Sequence, residues 1–251
     1  MDPSKIGMVA GDTTRSGAYI QSLARNLMLP NYVLILDDSS GIISPGQLKA
    51  PELMLGDEIV DSGKENAFWS EAIFDPLLPI QETLDEYKVE YEVGASKDIN
   101  HPNVVKLLQA RQEQVFIYSG FGGALLRQDV LSIGKKFLHV HGGYLPAYKG
   151  STANYYSLID VGRVGASAIF LNEKIDSGPI LLRKEFPMPP NNYEIDHIYD
   201  SAARAKVLIE TLRKNRDRVE WTFDESNNIG GETYFIIHPI LKHIAIMQER
   251  F

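Results

Sequence analysis

The sequence predicts a Rossmann-like, doubly wound α/β fold with a mostly parallel sheet and a small C-terminal appendage that contains β-structure. Short continuous apolar runs, which are typical of buried parallel strands, alternate with helical segments from the N-terminus onward. The chain changes character only near its C-terminal end. Its 251 residues suit one large domain with a small addition. We therefore expect a main domain over residues 1–214 and a β appendage over residues 215–251.

The strands are assigned from apolar runs bounded by turn residues. The first run, for example, ends at Gly11-Asp12-Thr13-Thr14. In the main domain the predicted strands are Lys5–Ala10, Asn31–Leu36, Val89–Val93, Val115–Tyr118, Phe137–Val140, Gly165–Leu171 and Ile180–Phe186. In the appendage they are Val219–Phe223 and Glu232–His238.

The helices are assigned from helical apolar periodicity between these strands. They are predicted at Ser16–Leu27, at Asn66–Tyr87 with a break near Pro76 and Pro79, at Asn103–Gln112, Asn154–Ile159 and Tyr193–Lys214. The stretch Gly41–Gly63 is rich in turn residues, and we expect it to be an excursion from the sheet. No internal repeat is found.

The composition favours a soluble enzyme that acts on small molecules. Lys and Arg number 25 against 33 Asp and Glu, so the net charge of −8 argues against general binding to nucleic acid or to anionic membranes. The absence of cysteine excludes disulfides, thiolate metal sites and cysteine nucleophiles. We find neither a signal peptide nor an apolar run long enough to span a bilayer, and therefore expect a cytoplasmic protein.

Two histidines at the end of a predicted central strand are the leading candidates for chemistry. His139 and His141 are two residues apart, so both side chains project from the same face of the strand. With Asp176 from a later loop they could exchange protons near neutral pH. The same residues could bind a metal ion, with Asp176 as third ligand, or could only pack in the core and bond to the backbone.

Glycine-rich turns follow two of the predicted strands. Ser119–Gly123 allows close approach of a ligand to the backbone, but it is also an ordinary strand-to-helix turn. The turn from Gly11 to Gly17 opens a helix, where free N–H groups and Arg15 could bind an anion, or where the residues only cap the helix. It lacks the G-x-G-x-x-G spacing, so a dinucleotide site is disfavoured.

Three ordered motifs resemble the formyltransferases that use 10-formyltetrahydrofolate. They are the histidine segment, Leu145–Thr152 directly after it, and Asp176–Leu181. The resemblance covers roughly residues 115–182. It implies 10-formyltetrahydrofolate as co-substrate, no metal, and catalytic His141 and Asp176.

His139 stands where the family has asparagine, and Gly142 where it usually has proline. By the resemblance, His139 would donate a hydrogen bond to the formyl oxygen, which requires a proton on the appropriate ring nitrogen, and His141 would accept the proton of the amine.

The resemblance also implies two groups of binding residues. The folate would contact Phe121, Gly122, Gly123, Ala124, Leu125, Leu126, Ile175 and Asp176. The acceptor would contact Thr13, Arg15, Lys149, Ser151, Thr152 and Tyr155.

We expect the acceptor to be the amine of a nucleotide-linked amino sugar. The H-x-H-G-G segment and the chain length resemble those of sugar N-formyltransferases of the pseudaminic acid type. Glycinamide ribonucleotide and aminoacyl-tRNA are alternative acceptors; the tRNA enzymes carry a further basic domain, and this chain is acidic. Hydrolysis of formyltetrahydrofolate and noncatalytic folate binding also stay open. The C-terminal appendage is a candidate surface for a homodimer.

Overall fold

A computed structural model of the protein describes residues 6–37, 72–189, 194–215, 221, 223–224 and 226–247. The described residues form nine strands: β1 (Ile6–Gly11), β2 (Tyr32–Leu36), β3 (Glu90–Gly94), β4 (Val115–Ser119), β5 (Lys136–His141), β6 (Tyr148–Gly150), β7 (Val164–Phe170), β8 (Ile180–Phe186) and β9 (Glu232–Tyr234). Their α-helices are α1 (Thr14–Arg25), α2 (Ile80–Glu86), α3 (Pro102–Ala110), α4 (Gln128–Leu131), α5 (Ala153–Val161), α6 (Asp200–Asn215) and α7 (Pro239–Met247). A π-helical turn, Ile195–Tyr199, leads into α6.

The main sheet has the strand order β3-β2-β1-β4-β5-β7-β8. Its first five strands are parallel, whereas β7 is antiparallel to both β5 and β8. The chain winds outward from β1 to β3 in one direction and from β4 to β8 in the other. Ligands bind at such a reversal, outside the carboxyl ends of the strands. The predicted doubly wound, mostly parallel α/β fold is confirmed.

Alternating residues of the strands pack into two large hydrophobic cores, one on each face of the sheet, and a third small cluster holds Leu145, Ile169 and Ile180. Met8 of β1 contributes to the core that contains residues of α1 and α6, and Val9 to the core that contains residues of α3. In β5, Leu138 and Val140 belong to the first core. Because side chains alternate along a strand, His139 and His141 lie on the opposite face.

The seven predicted strands of the main domain are all present, with ends shifted by at most one residue where those ends are described. The excursion predicted at Gly41–Gly63 lies outside the described residues, as do Lys5, residues 66–71 of the predicted second helix, and most of Val219–Phe223. The helix expected from Tyr193 begins as an α-helix only at Asp200, after the π-helical turn. Within the described ranges, no helix is both long and apolar enough to cross a membrane.

The C-terminal segment (residues 226–247) contains less β-structure than the sequence predicts. The strand predicted over Glu232–His238 ends at Tyr234, and the helix α7 follows. The strand is short because its parallel partner β6 has only three residues to pair with. The helix begins at Pro239, since proline lacks an N–H and is favoured at the start of a helix. The boundary at residue 215 stays a prediction.

The C-terminal segment is joined to the main domain by a close backbone approach at Gly231. A Cβ atom at this position would lie 1.5 Å from the carbonyl oxygen of Pro146. The next N–H along the chain, that of Glu232, donates to the carbonyl oxygen of Ala147 at 3.2 Å. Only glycine permits this approach, so Gly231 sets how β9 meets β6.

We predict that Gly231→Ala destabilises the protein more than Gly230→Ala. Both glycines have a positive φ, 79° and 81°, so alanine carries a similar backbone cost of about 1–2 kcal/mol at either site. A Cβ at Gly230 would meet no atom within 4 Å. The collision at Gly231 should therefore add about 1–3 kcal/mol. Urea unfolding of the two variants measures the difference, and equal free energies of unfolding would contradict the prediction.

Candidate active site

The carboxyl ends of β1, β4 and β5 bring the predicted site residues to one edge of the sheet. β1 leads into the turn with Thr13 and Arg15, β4 into the loop after Ser119, and β5 ends at His141. Because the three strands are parallel neighbours, their carboxyl ends lie side by side.

His141 is buried between two hydrogen-bond acceptors. Its Nε2 lies 2.8 Å from the carbonyl oxygen of Tyr148, and its Nδ1 lies 3.3 Å from Oδ2 of Asp176. Burial lowers the pKa of His141, and the nearby guanidinium of Arg204 acts in the same direction. Asp176 and the Tyr148 carbonyl oppose this shift because they stabilise the protonated ring. The predicted pairing of His141 with Asp176 is thus present in the structure.

Asp176 is held in place by contacts from two other parts of the chain. The main-chain N–H of Gly150 donates to its Oδ2 at 2.8 Å. The side-chain amide of Asn228 donates to the carbonyl oxygens of Asp176 and Gly178, at 2.9 and 2.7 Å. The backbone of Asp176 has a φ of +46°, which is uncommon for a residue other than glycine. The C-terminal segment therefore helps to orient a predicted catalytic carboxylate.

His139 has a different environment from His141. Its Nδ1 lies 3.1 Å from the carbonyl oxygen of Tyr118 at the end of β4. Burial lowers the pKa of His139 well below its ordinary value of 6.5, and the positive charges of Arg15 and Arg204 add to the effect. Both causes disfavour the charged ring, so His139 is neutral at neutral pH.

A partly buried ion pair lies against the end of β5. Nε of Arg204 on α6 lies 2.7 Å from Oδ2 of Asp200, and a terminal nitrogen of the same side chain donates to the carbonyl oxygen of Val140 at 3.1 Å. Asp200 also accepts from the side-chain amide of Asn154 at 2.9 Å. A Cβ at Gly142 would lie 2.3 Å from the Arg204 guanidinium, so this arrangement requires glycine.

Thr13 and Arg15, predicted to bind the acceptor, have partners within the protein. The hydroxyl of Thr13 caps α1 by accepting from the N–H of Ser16 at 3.2 Å. The guanidinium of Arg15 donates to the hydroxyl of Ser119 at 3.2 Å and to the carbonyl oxygen of Gly120. Arg15 thus ties α1 to the end of β4, and burial lowers its pKa.

The residues predicted to contact folate differ in exposure. Leu126 is buried in the core, whereas Leu125 of the same loop is 56% exposed. A Cβ at Gly122 would meet nothing within 4 Å, so the space beside this part of the loop is open. Ile175, on the loop that carries Asp176, is 43% exposed. Two loops of the site therefore present apolar side chains to solvent.

The other predicted acceptor residues lie next to the C-terminal segment. Lys149 is buried, and its Nζ lies 3.4 Å from the carbonyl oxygen of Asn228. Thr152 accepts at its hydroxyl from the N–H of Ile237, and the Tyr155 hydroxyl donates to Asp196 at 2.7 Å. Ser151 is exposed. Of these four, Ser151 is the most accessible to a ligand.

Sequence reasoning missed Arg204, Asp200 and Asn228. The only signal for the ion pair is its i, i+4 spacing on a helix, a pattern that usually indicates a solvent-exposed pair. Asn228 gives no signal, because its partners lie about fifty residues earlier in the chain. Among the described residues, no group of three or more His, Cys, Asp or Glu side chains is arranged to hold a metal ion.

Comparison with protein families identifies the family of this chain. The profile of the formyl transferase family matches residues 79–212, which is just over half of the chain. The chain belongs to the formyl transferase family. The matched range contains both histidines, Asp176 and the ion pair of α6.

Methionyl-tRNA formyltransferases are among the curated relatives. That of Thermodesulfovibrio yellowstonii is 30% identical over 117 residues, which cover 45% of this chain and 38% of the relative. That of Synechococcus elongatus is 33% identical over 116 residues, or 45% of this chain and 35% of the relative. The matched part thus spans less than two fifths of these relatives.

Solved structures of formyltransferases share the fold. The phosphoribosylglycinamide formyltransferase of Anaplasma phagocytophilum is 13% identical, with a TM-score of 0.59 over 92% of this chain and 97% of the other. A sugar N-formyltransferase from Shewanella sp. FDAARGOS_354 is also 13% identical, with a TM-score of 0.54 over 96% and 86% of the two chains.

We predict that the two histidines of β5 make the folded protein less stable in mild acid. A histidine whose pKa falls on folding binds fewer protons in the folded state than in the unfolded state. The contribution of such a histidine to the free energy of unfolding is therefore complete above about pH 6.5, its pKa in the unfolded chain. This contribution is lost as the pH falls below that value.

The test compares the wild type with His139→Asn by urea unfolding at about pH 7.5 and about pH 5.5. Between these two pH values the free energy of unfolding of the wild type should fall by about 1 kcal/mol more than that of the variant, since one unit of pKa shift corresponds to about 1.4 kcal/mol. His243→Asn, at an exposed position of α7, should behave as the wild type. Equal pH dependence in wild type and His139→Asn would contradict the prediction.

Proposed function

We propose that the protein transfers a formyl group from 10-formyltetrahydrofolate to the amine of a nucleotide-linked amino sugar. The observation that carries the proposal is the contact of 3.3 Å between His141 and Asp176, beside His139 and at the carboxyl end of a central strand. A member of the formyl transferase family needs groups that exchange protons at this place. These side chains meet the need at neutral pH.

The two exposed apolar loops are suited to a flat, partly apolar folate. The open space beside Gly122 and the exposed side chain of Leu125 fit one side of a ring system, and the exposed Ile175 fits the other. Residues 121–126 with Ile175 and Asp176 would hold the folate, which supplies the formyl group when bound. Leu126, which is buried, would support the loop from below.

The protein must move one proton for each formyl group transferred. The acceptor amine loses a proton as its nitrogen bonds to carbon, and the folate nitrogen gains one as its bond to carbon breaks. The histidines can hold that proton between the two events. A well-placed acid–base group contributes about 10²–10⁴-fold to such a reaction. Asp176, oriented by Gly150 and Asn228, would support the charged form of His141.

The amino-sugar acceptor is supported by the charge of the chain and by sugar N-formyltransferases among proteins of this fold. The exposed Ser151 and the neighbouring Thr152 would contact this acceptor. Thr13 and Arg15, in the turn after β1, would form one wall of the acceptor pocket. Lys149 and Tyr155, which bond to other parts of the protein, would form its floor. The second candidate is an aminoacyl-tRNA, favoured by the 30–33% identity to methionyl-tRNA formyltransferases.

We predict that nucleotide-linked amino sugars accelerate the release of tetrahydrofolate from 10-formyltetrahydrofolate. Release is measured with a panel of such sugars, with glycinamide ribonucleotide, with methionyl-tRNA and with no acceptor. Acceleration by methionyl-tRNA alone would establish the second candidate. Release without any acceptor would indicate a hydrolase, and folate binding without release a noncatalytic module.

We predict that His141→Ala and Asp176→Ala each lower the acceptor-dependent rate by about 10²–10⁴-fold, because each removes part of the proton-transfer machinery. His243→Ala, on the exposed face of α7, serves as the matched histidine control and should retain the wild-type rate. Circular dichroism checks that all three variants are folded. A rate near that of the wild type in either active-site variant would contradict the assignment.

We predict that Asn228→Ala lowers turnover more than Asn227→Ala. Each asparagine makes two hydrogen bonds to the main chain, Asn228 to Asp176 and Gly178 and Asn227 to Ile180, at 2.7–2.9 Å. Both variants should therefore lose about 1–3 kcal/mol of stability. Only Asn228→Ala releases the loop that carries Asp176, so only its kcat should fall about tenfold or more. Equal loss of kcat per folded molecule would contradict this role of Asn228.

A further inference from the structure

The contact between His139 and the Tyr118 carbonyl favours a proton on Nδ1 of the ring. That nitrogen lies 3.1 Å from the carbonyl oxygen of Tyr118, and a carbonyl oxygen can only accept a hydrogen bond. In a neutral imidazole, a proton on one ring nitrogen leaves the other nitrogen with a free lone pair. Among the described residues, the ring of His139 makes its hydrogen bond through Nδ1, and no partner is found for Nε2. His139 therefore offers an unoccupied proton acceptor.

The ring of His141 has both nitrogens engaged. Nε2 faces the carbonyl oxygen of Tyr148 at 2.8 Å, and Nδ1 faces the carboxylate of Asp176 at 3.3 Å. Both partners are acceptors, so each contact is favourable only when the ring nitrogen carries a proton. A Cβ at Gly143 would lie 2.6 Å from Nε2, which shows how closely the main chain covers this edge of the ring. A neutral His141 can donate to only one of the two acceptors, whereas a charged ring can donate to both.

The two rings differ in the charges around them as well as in their hydrogen-bond partners. His139 is flanked by Arg15 from α1, Arg204 from α6 and His141 on its own strand, all of which disfavour a second proton on it. His141 faces Asp176, and Asp200 lies on the same side through its pair with Arg204. A carboxylate next to the ring favours its charged form. A carboxylate thus faces His141, whereas positive charges surround His139.

We infer that His139, through Nε2, is the group that accepts the proton of the attacking amine, and that the pair of His141 and Asp176 provides compensating charge beside it. This inference rests on the proposed formyl transfer. It reverses the division of roles expected from the resemblance, in which His141 accepts the proton and His139 binds the formyl oxygen. The reversal follows from the tautomer that the Tyr118 carbonyl imposes.

The proton and the bonds balance in this scheme. The bond between the amine nitrogen and the formyl carbon forms, and the bond between the formyl carbon and the folate nitrogen breaks. One proton passes from the amine to Nε2 of His139 and then from Nε2 to the folate nitrogen. The ring returns to its neutral form with Nδ1–H still bonded to Tyr118, so no further reactant is consumed.

The replacement His139→Asn separates the two roles. An asparagine amide can donate a hydrogen bond to the formyl oxygen, but it cannot accept a proton near neutral pH. A donor role therefore predicts nearly full activity in His139→Asn, whereas an acceptor role predicts a loss of about 10²-fold or more in kcat. His139→Ala should show the same loss, and added imidazole should restore part of it by filling the space next to Tyr118.

Two measurements complete the kinetic test. Calorimetry with tetrahydrofolate, which carries no formyl group, should give similar affinity for wild type, His139→Asn and His243→Asn, the exposed control. Nitrogen NMR of histidine-labelled protein at about pH 7 should show the His139 ring with a proton on Nδ1 and a bare Nε2. The His139 signals are identified by their absence in His139→Asn.

A rate for His139→Asn within threefold of the wild type, about 0.65 kcal/mol, would overturn the inference. A proton on Nε2 of His139 at neutral pH, in a neutral or a charged ring, would also overturn it. These outcomes differ from a failure of the proposed function, in which the wild type itself shows no amine-dependent release of tetrahydrofolate while the ring still has its proton on Nδ1.

Discussion

The strands β4 and β5 pair in parallel up to Ile117 and Leu138 and then separate. Beyond that point the carbonyl oxygen of Tyr118 accepts a hydrogen bond from the ring of His139 at 3.1 Å, where a neighbouring strand would otherwise supply an N–H. The separation lies at the carboxyl ends of the strands, next to the reversal of strand order between β1 and β4 where ligands bind in this topology. The same contact determines which nitrogen of His139 has a lone pair. The geometry of the crevice and the proposed proton transfer thus depend on one main-chain acceptor.

A partly buried ion pair on α6 supports this edge of the sheet. Arg204 joins α6 to β5 through the Val140 carbonyl, and Asp200 joins α6 to α5 through Asn154. The guanidinium is close enough to lower the pKa of both histidines, and its carboxylate partner limits that effect at His141. Packing and electrostatics are therefore coupled, since the side chain that positions the strand also adjusts its titrating groups. Gly142 is required because any Cβ would displace Arg204.

Much of the fold and part of the site could be predicted because they depend on local patterns. Apolar runs indicated the strands of the sheet, and alternation along β5 put His139 and His141 on one face. The approach of Asp176 to His141 followed from motifs typical of the family. Arg204 could not be predicted, because it reaches the main chain of β5 from 64 residues away with no distinctive motif. The predicted anion contact of Arg15 competes with its bonds to the end of β4.

The sequence by itself determined the doubly wound sheet, the two histidines at the end of a strand and the class of chemistry that they favour. These properties follow from the spacing of residues along one segment, so they can be recognised before the chain folds. Only the tertiary structure decided which histidine has a free lone pair. That property depends on the carbonyl oxygens of Tyr118 and Tyr148 and on the carboxylate of Asp176, which other segments bring to the rings. Which ring nitrogen of a histidine carries the proton depends on the hydrogen-bond partners around the ring, and a sequence pattern does not specify those partners.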